Sequence, residues 1–303
     1  MNCYNGEEFL SEAINSVLNQ TYQNWELIFW DNRSLDNTSK IAKSFTDNRI
    51  KYYNSSVHTD LGEGRKRGFE KINGKFLAIL DVDDIWFPDK IEKQLSSFNS
   101  PDISVSITNA YLFNNKKKII LYKNDPPSGY IFEKLLEKYN IYFSTVMFRV
   151  SSIKKLDYNF DPDFNHIADF DLVLRCLKFG RLAYCNNILT AYRLHGNNDS
   201  FRFLEKFVLE RDLWIKKNKE NNFIDKIKYN KEIIKFSNTN NRQKALLELM
   251  FNSRIECIKT LIYNNSLTIK DLLVIILSIL PMKKSFFQKL YINRITRGLI
   301  NSL

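Results

Sequence analysis

The sequence contains few cysteines, and their positions argue against two classes of protein. The four are Cys3, Cys176, Cys185 and Cys257, with no Cys-x-x-Cys pair and no histidine at metal-ligand spacing. A disulfide-held secreted domain needs a dense, paired set of cysteines, and a structural zinc site needs clustered ligands. Neither is indicated, so we expect the reducing environment of the cytoplasm.

Long hydrophobic runs are also absent. The longest uncharged apolar run, 272–280, would extend about 14 Å as a helix, whereas the hydrocarbon core of a bilayer is about 30 Å thick. The first residues show no secretory signal pattern. We therefore expect no segment that crosses a membrane by itself.

The composition excludes wholesale disorder. Hydrophobic residues make up 44% of the 303 residues and aromatic residues 14%, which is enough for a sizeable packed core. No internal repeat is present. The length suits one large α/β domain with an appendage.

The net charge of +11 lies entirely in the last third of the chain. Residues 1–200 contain 25 basic and 25 acidic residues, whereas residues 201–303 contain 20 basic and 9 acidic ones. A neutral module with a basic extension is typical of a protein that associates with an anionic surface. We therefore predict two parts, a folded α/β domain over 1–204 and a basic helical region over 205–303.

Hydrophobic periodicity over the first 100 residues alternates between helix and strand. The apolar stripe of 7–19 predicts a helix, and the short apolar run 25–30 predicts a strand. Strands separated by helices predict a mostly parallel sheet. The same alternation continues, with helices predicted over 36–45, 62–72 and 88–98 and strands over 50–53 and 75–80.

Shorter elements follow up to residue 200. Strand and hairpin patterns occupy 102–122, and helical periodicity dominates from residue 203 onward. Between these regions the sequence predicts helices over 131–139 and 169–179 and strands over 145–148, 182–184 and 188–192.

Three carboxylates directly follow an apolar strand in the run Leu80-Asp81-Val82-Asp83-Asp84. Ligands of open α/β sheets bind at the carboxyl ends of strands, and oxygen ligands favour Mg²⁺ or Mn²⁺ shared with substrate phosphates. One interpretation is therefore a metal-diphosphate site. The other is that the aspartates form a turn and cap the helix that begins near Pro88.

Two further motifs precede this run. Trp30-Asp31-Asn32-Arg33-Ser34-Leu35-Asp36 ends a strand, and Cys3-Tyr4-Asn5-Gly6-Glu7 precedes a helix that ends in Leu18-Asn19-Gln20-Thr21. With an Arg-bearing helix and the Asp-x-Asp-Asp run, this ordered set over residues 2–100 resembles family 2 glycosyltransferases of the bacterial polysaccharide and glycolipid type. The resemblance implies the GT-A nucleotide-sugar-binding fold, a Rossmann-like mixed sheet flanked by helices, with residues 1–204 as its catalytic domain.

The resemblance assigns donor-binding roles to several residues. Tyr4, Asp31 and Asn32 match positions at the nucleoside base, and the side-chain oxygen of Asn32 can accept a hydrogen bond from a uracil N3–H. Arg65 matches the arginine of the helix that faces the nucleotide. Outside this pattern, a turn residue would be the favoured interpretation of Asp31.

The aspartates after Leu80 match the family's Asp-x-Asp region. Asp81 and Asp83 are then donor-binding residues, with Asp83 also near the metal and Asp84 as the best direct metal ligand. The implied cofactor is Mn²⁺ or Mg²⁺.

A candidate catalytic base lies in the run His166-Ile167-Ala168-Asp169-Phe170-Asp171-Leu172. It resembles the family's Glu-Asp-x-Asp-Leu segment, in which the aspartate that opens a helix is the base. That residue is Asp169, and the N–H groups of a helix N-terminus favour its ionised form. Asp171, by contrast, is consistent with a simple helix cap. The family's preceding glutamate is Ala168 here, which leaves a non-catalytic relative as an alternative.

The run Tyr192-Arg193-Leu194-His195 resembles the Tyr-Arg-x-His segment that closes the family's catalytic domain. The resemblance implies that Arg193 and His195 act on the diphosphate or its metal. Neutral imidazole is an acceptable ligand of Mn²⁺. The alternative for His195 is a structural histidine.

One departure concerns the first strand of the sheet. In the family an apolar strand precedes the Tyr-Asn turn, whereas Met1 stands only three residues before Tyr4. We expect this strand to be missing, through a misassigned start or a truncated form. Its loss would leave unpaired backbone groups on the neighbouring strands.

The basic region ends in a series of cationic residues beside apolar ones at helical spacing. An amphipathic helix on an anionic lipid surface and the solvated face of a small helical domain both fit this pattern. The cationic residues are Lys283, Lys284, Lys289, Arg294 and Arg297.

These features predict a hexosyltransferase that moves a sugar from a nucleotide sugar, of the UDP type, to a glycan or lipid-linked acceptor. Transfer would be metal-assisted and inverting, at the inner face of the cell membrane. Alternatives are a non-catalytic relative and a basic membrane- or nucleic-acid-binding protein, although no nucleic-acid-binding module is recognisable. A nucleotidyltransferase would need a basic glycine-rich loop where residues 5–8 are acidic.

Overall fold

The computed structural model describes residues 1–195, 198–251, 253–262, 267–280 and 286. The chain divides into two compact units, of which the first comprises Met1–Phe132 and Asn140–Asn198 and the second comprises Glu133–Tyr139 and Asp199–Leu303. The division at residue 204 stays a prediction. It assigned the segment Glu133–Tyr139 to the first domain, whereas this segment belongs to the second unit.

Two sheets form the first unit. The first, in the order β1-β2-β3, is parallel throughout; the second has the order β4-β8-β6-β9-β5, with β7 also paired to β6. Within the second sheet β6 and β9 are parallel and the other pairs antiparallel. The strands are β1 (Asn2–Cys3), β2 (Leu27–Asp31), β3 (Ile50–Asn54), β4 (Phe76–Ala78), β5 (Ile85–Trp86), β6 (Ile103–Phe113), β7 (Lys118–Ile120), β8 (Met147–Arg149) and β9 (Arg181–Arg193).

The mixed sheet implied by the family resemblance is confirmed. The mostly parallel sheet predicted from the helix-strand alternation is correct for β1–β3 and wrong for most of the second sheet. The reason is that β7 and β8 run back along β6, so their pairing is antiparallel.

The strand that we expected to be missing is present over two residues. The N–H of Trp30 donates to the carbonyl of Met1 at 2.9 Å, and the N–H of Asn32 donates to the carbonyl of Cys3 at 2.8 Å. Cys3 is paired in register with Asp31. Tyr4 therefore begins its turn directly beside the end of β2.

The helices of the first 180 residues follow the predicted apolar stripes. In most cases a helix begins or ends one to three residues inside its predicted bounds. In α1 the buried side chains Leu10, Ile14 and Val17 pack in one core cluster with Phe29 of β2. The helices are α1 (Leu10–Leu18), α2 (Thr38–Ser44), α3 (Leu61–Phe69), α4 (Lys90–Leu95), α5 (Phe132–Glu137), α6 (Val150–Ile153) and α7 (Ala168–Lys178).

The two long strands β6 and β9 are the main departure from the predicted elements. The sequence predicts two strands over 182–184 and 188–192, because the polar pair Asn186-Asn187 interrupts the apolar pattern. In the structure both asparagines are exposed within one continuous strand. The register between β6 and β9 shifts around Asn109, whose side chain instead bonds both backbone groups of Tyr122.

From residue 199 onward, the part of the second unit that the structure describes is helical, as the periodicity predicts. Its core joins α10, α11 and α12 through buried side chains such as Ala245, Cys257 and Val274. Its helices are α8 (Asp199–Arg202), α9 (Leu204–Glu220), α10 (Asn230–Phe251), α11 (Arg254–Ile262) and α12 (Ile269–Ile279).

Among the residues that the structure describes, no helix has both the length and the hydropathy needed to cross a bilayer. The basic stripe from Lys283 to Arg297, predicted to form either an amphipathic helix or a solvated face, lies outside the described residues apart from Phe286.

Candidate active site

The Tyr-Asn turn after β1 is bonded to the turn after β2. The N–H of Asn5 donates to Oγ of Ser34 at 3.0 Å, and the N–H of Leu35 donates to Oδ1 of Asn5 at 2.8 Å. Asn5 has a positive φ of 53°, a left-handed conformation that asparagine tolerates better than most residues. The two bonds hold the turn that begins at Tyr4 against the turn after β2.

Further hydrogen bonds join the same two turns. The N–H of Gly6 donates to Oγ1 of Thr38 at 2.8 Å, and the N–H of Glu7 donates to Oδ2 of Asp36 at 3.1 Å. In return, Oε2 of Glu7 accepts from the backbone and side-chain N–H groups of Asn37 at 2.9 and 2.8 Å. The two motifs, separate in the sequence, therefore form one hydrogen-bonded structure.

Asp31 and Asn32, the predicted base contacts, are both buried and bonded within the protein. Oδ1 of Asp31 accepts from the N–H of Ser34 at 2.8 Å, and Oδ2 accepts from the hydroxyl of Tyr52 at 2.7 Å. The amide of Asn32 donates to the carbonyl of Thr59 at 2.6 Å and accepts from the Thr59 hydroxyl at 2.9 Å. The side-chain oxygens assigned to the base thus already have protein partners, and direct base contact stays a prediction.

Tyr4 and His58 form an exposed aromatic pair next to these buried residues. Their ring centroids are 4.0 Å apart with an interplanar angle of 41°. Nδ1 of His58 lies 3.0 Å from the carbonyl oxygen of Asn32, which orients the imidazole ring. Aromatic rings on a surface beside a nucleotide site are suited to stack on a base.

Arg65 on α3 reaches the aspartate cluster. Its Nη2 lies 3.2 Å from Oδ1 of Asp81, and its guanidinium carbon lies 4.7 Å from the ring centroid of Phe143. Burial raises the pKa of Asp81, and the positive charge of Arg65 opposes that rise. At the start of α3, the N–H of Leu61 donates to Oδ1 of Asn165 at 2.6 Å, which ties this helix to the segment before α7.

Asp83 and His195 are 112 positions apart in the sequence and lie in contact. Nε2 of His195 is 2.9 Å from Oδ2 of Asp83, and the two side chains are 23% and 24% exposed. The side-chain amide of Asn198 is 3.4 Å from the same oxygen, and its Oδ1 accepts from the N–H of His195 at 2.7 Å. The structure therefore brings together the Asp-x-Asp run and the Tyr-Arg-x-His segment.

Asp84 is fully buried, unlike Asp83. Its Oδ1 accepts from the backbone N–H of Arg193 at 2.9 Å, and the hydroxyl of Ser144 also stabilises the ionised carboxylate. Burial, followed by the charges of Asp83 and Asp81, raises the pKa of Asp84 well above its ordinary value.

The guanidinium of Arg193 is held by protein groups on several sides. Its Nε donates to the carbonyl of Asp83 at 2.9 Å, and its Nη2 pairs with Glu12. Its central carbon lies 4.5 Å from the ring centroid of Phe9 and 4.6 Å from that of Phe113. These contacts fix the end of β9 to the loop after β4. Arg193 therefore positions this loop, in addition to its predicted role at the diphosphate.

Asp169, the predicted base, is in the first turn of α7. Burial raises its pKa above the ordinary value, and the charge of Arg65 and the N–H of Phe170 act in the opposite direction. From the sequence we expected the helix N-terminus to keep this carboxylate ionised. The helix N–H groups do favour ionisation, but burial is the larger effect. A raised pKa suits a group that must accept a proton near neutral pH.

Asp171, two residues after Asp169, is completely buried. It has a structural role beyond that of a helix cap. Its Oδ2 pairs with Arg175 at 2.6 Å, within one turn of α7. Arg175 also donates from Nη1 to the carbonyl of Tyr158 at 2.7 Å and binds the carbonyl of Asn159. The pair therefore anchors the segment that leads into α7.

Among the described residues, no three His, Cys, Asp or Glu side chains are grouped as they would be around a metal ion. The predicted ligands Asp83, Asp84 and His195 thus do not form such a group by themselves. The Asp83–His195 pair nevertheless fits a divalent cation, because adjacent ligands of an octahedral ion lie about 3 Å apart. A metal role for Asp84 stays a prediction that involves its buried Oδ2.

The sequence profile described as Glycosyl transferase family 2 matches residues 1–157, which is just over half of the chain. The chain belongs to glycosyltransferase family 2. The matched residues include the Tyr-Asn turn, Arg65 and the Asp-x-Asp run. Asp169, Arg193 and His195 lie beyond them, so the assignment of these three residues rests on the motifs and geometry described above.

Two curated relatives cover most of the family 2 domain. The UDP-Glc:alpha-D-GlcNAc-diphosphoundecaprenol beta-1,3-glucosyltransferase WfgD of Escherichia coli is 34% identical over 202 residues, which are 66% of this chain and 78% of that protein. The putative teichuronic acid biosynthesis glycosyltransferase TuaG of Bacillus subtilis is 28% identical over 200 residues, which are 65% of this chain and 78% of that protein.

Solved structures of S. aureus TarS share the fold. TarS 1-349 matches with a TM-score of 0.65 at 16% identity, over 86% of this chain and 77% of that fragment. The longer TarS structure matches with a TM-score of 0.62, and the match covers 47% of its chain. Structures of TarS 1-349 with UDP and with UDP-GlcNAc also match. At this identity the likeness concerns the fold alone, and it confirms the GT-A architecture.

Several residues that contact the candidate site were not assigned from the sequence. Glu12, His58 and Asn198 contact predicted site residues, but each is a common surface residue type without a distinctive local pattern. The Leu-Asn-Gln-Thr motif is a structural element instead. Buried Gln20 donates to the carbonyl of Phe87 at 2.8 Å and joins the end of α1 to the start of α4.

Proposed function

We propose that this family 2 glycosyltransferase transfers a sugar from a UDP-sugar to a hydroxyl of a lipid-linked glycan, with inversion and with the aid of a divalent cation. The contact between Asp83 and His195 carries this proposal, because it unites two distant motifs at one partly exposed position. WfgD acts on a diphosphoundecaprenol-linked acceptor according to its name, and TuaG in teichuronic acid biosynthesis. A part in the biosynthesis of a surface polysaccharide is consistent with both.

The donor nucleotide is expected to bind next to the two bonded turns. Tyr4 and His58 offer aromatic faces on which a uracil can stack. Arg65, close to Asp81, adds a positive charge near the expected position of the ribose and diphosphate. The complexes of TarS with UDP and UDP-GlcNAc support a uridine nucleotide in this fold.

Mn²⁺ or Mg²⁺ is expected at Asp83 and His195, with Asp84 close by. Such an ion would stabilise the charge of the leaving diphosphate. In this chain Asp83 supplies an oxygen ligand and His195 a nitrogen ligand, and Asn198 keeps the imidazole in place through the backbone N–H of His195. Arg193 keeps the loop that carries Asp83 against β9.

Asp169 is the proposed general base. Its raised pKa, its first-turn position and the nearby charge of Arg65 suit a carboxylate that removes a proton from an acceptor hydroxyl. The deprotonated hydroxyl attacks the anomeric carbon from the side opposite the diphosphate. A single displacement of this kind inverts the configuration of the sugar.

The acceptor chemistry and the basic second part of the chain support a site of action at the inner face of the cell membrane. Residues 201–303 carry 20 basic and 9 acidic residues. Electrostatic attraction to anionic lipids would hold the enzyme near a lipid-linked acceptor.

The test is a donor and acceptor screen with the purified protein. UDP-, GDP- and dTDP-sugars are incubated with Mn²⁺ and a short-chain lipid diphosphate sugar, and nucleotide release and the anomeric configuration of the product are measured. We expect UDP release that depends on the acceptor and an inverted product. The proposal fails if no donor is consumed, or if Asp83→Asn transfers sugar as fast as the wild type does.

Ala168 favours one alternative, a non-catalytic relative that binds the donor without transfer. It occupies the position of the family's glutamate and is completely buried. Binding of a UDP-sugar by calorimetry, without transfer to any acceptor, would support this alternative.

A further inference from the structure

The apolar side of α12 is exposed and its polar side is buried. Asp271, Val274 and Ser278 face the core of the second unit. We use the term α12 face for the exposed residues Ile269, Leu272, Leu273, Ile276 and Ile279, which are 79%, 48%, 55%, 56% and 67% exposed. A surface helix of a globular protein normally has the opposite arrangement.

Buried polar bonds fix this orientation of α12. Oδ1 of Asp271 pairs with Nε of Arg242 at 2.7 Å, and Asp271 and Thr268 form a reciprocal capping box at the helix start. A rotation that buried the α12 face would break these bonds and leave Arg242 without its partner. The exposure of the apolar side is therefore built into the packing of the helix.

The α12 face is continuous along the helix. At 100° per residue its five side chains fall within an arc of about 120°, and Lys270 lies about 60° beyond the edge of that arc. Contiguous exposed apolar surface of this kind marks a site of interaction with a protein, a ligand or a membrane.

The charge of the surrounding sequence selects among these partners. The residues that follow α12, 281–303, include five basic residues and no acidic residue. The face itself contains only leucine and isoleucine, whereas the centres of protein interfaces favour tryptophan, tyrosine and arginine. Two copies of a region with net charge +11 would also repel each other.

We propose that the α12 face inserts into the surface of an anionic lipid bilayer, with the helix parallel to the membrane plane. Its 11 residues extend about 16 Å, too short to cross a bilayer but suited to the boundary between head groups and acyl chains. This inference deepens the membrane-surface part of the proposed function and rests on it. It assigns the apolar part of the attachment to α12 and the electrostatic part to the basic residues.

Vesicle binding tests the inference. The full chain is sedimented with vesicles of phosphatidylcholine alone and with vesicles that also contain phosphatidylglycerol. We expect binding to the anionic vesicles that weakens with salt. The double variant Leu272→Gln/Ile276→Gln should bind at least about tenfold more weakly, because it removes apolar area from the inserted side while keeping helix propensity.

The matched control is Leu209→Gln/Leu213→Gln, a pair with the same spacing on α9 and with exposures of 52% and 43%. It should bind vesicles as the wild type does. Equal binding by the α12 variant and the wild type overturns the inference. The inference is also overturned if the wild type forms a dimer that does not bind vesicles and the α12 substitutions dissociate this dimer.

A parallel assay separates this inference from the proposed function. Transfer to a water-soluble acceptor should be the same in the wild type and the α12 variant. If the wild type shows no transfer at all, the proposed function fails, while the comparison of vesicle binding still decides the part of α12.

Discussion

Nε2 of His195 lies 2.9 Å from Oδ2 of Asp83, although 112 positions separate the two residues in the sequence. The contact connects the loop after β4 with the residues after β9. Both side chains remain partly exposed, so the pair can exchange its mutual hydrogen bond for a shared ligand. This relationship leads to the first prediction.

Asp83→Asn is expected to lower the rate of Mn²⁺-dependent sugar transfer at least about 100-fold, because the amide keeps the size of the side chain but removes its charge. His195→Gln should reduce the apparent affinity for Mn²⁺ with a smaller loss of rate. The measurement is UDP release over a range of Mn²⁺ concentrations.

Asp89→Asn is the control for that experiment. Asp89 follows the same loop but pairs with Lys93 instead of a site residue. Its substitution should leave the metal response unchanged. A wild-type rate and Mn²⁺ response in Asp83→Asn would contradict a part for Asp83 at the metal.

Asp169→Asn is expected to reduce the transfer rate by about 10³-fold or more while UDP binding persists, because the variant cannot accept the acceptor proton. Calorimetric titration with UDP measures binding, and a transfer assay measures the rate. The control is Asp157→Asn, which changes an exposed carboxylate that precedes Asp169 in the sequence. This variant should retain activity. Loss of UDP binding in Asp169→Asn would indicate a structural part instead.

The pH dependence of transfer follows from the raised pKa of Asp169. Only the deprotonated carboxylate acts as a base, so activity should fall as the pH decreases through this raised pKa. The charge of Arg65 lowers the pKa of Asp169, and Arg65→Met should therefore move the acid limb of the pH–rate profile to higher pH. Arg65→Lys, which keeps the charge, should leave that limb nearer its wild-type position.

Tyr4→Ala is expected to raise the KM for the UDP-sugar about tenfold or more, since stacking of a base on an aromatic ring contributes about 1–3 kcal/mol. His58→Ala should raise it less, and His58→Phe should restore much of the loss. The kcat should change little in all three variants because these rings do not touch the reacting atoms. An unchanged KM in Tyr4→Ala would exclude stacking at this pair.

Lys90 is buried, with Nζ 4.0 Å from the ring centroid of Trp86 and 2.6 Å from Oε1 of Gln94. Burial lowers the pKa of Lys90 from 10.5 to about 7. Between these two values the unfolded chain binds a proton that the folded protein does not, so this group makes stability rise with pH. Lys90→Met removes that cost, and the gain should be roughly 3 kcal/mol larger at pH 6 than at pH 9.5.

Urea unfolding of the wild type and Lys90→Met at the two pH values measures this difference. Lys93→Met is the control, because Lys93 is exposed and pairs with Asp89 at the surface. Its effect on stability should be small and similar at both pH values. An equal gain for Lys90→Met at pH 6 and pH 9.5 would contradict a neutral buried lysine.

Sequence patterns predicted the elements whose causes are local. The start of α7 was expected at residue 169 and is at Ala168, and β3 was expected to begin at Ile50, as it does. Apolar spacing and turn residues determine such features within a few positions of the chain. The motif order was informative for the same reason, because each turn has its own composition.

Features that depend on long-range packing could not be predicted in this way. Asp169 and Asp171 are the same residue type two positions apart, yet they differ by about 200° around α7, and one is buried beside Arg175. The partner of Asp84 is the backbone of Arg193, 109 positions away. Nothing in the residues next to Asp84 in the sequence indicates this contact.

The six hydrogen bonds between residues 5–7 and 34–38 have a consequence for protein engineering. A chimera that took only one of the two turns from another enzyme would leave donors and acceptors of the other without partners. Recombination within this family should therefore preserve the two segments as a single inherited block, and a change of nucleotide preference would require their joint replacement.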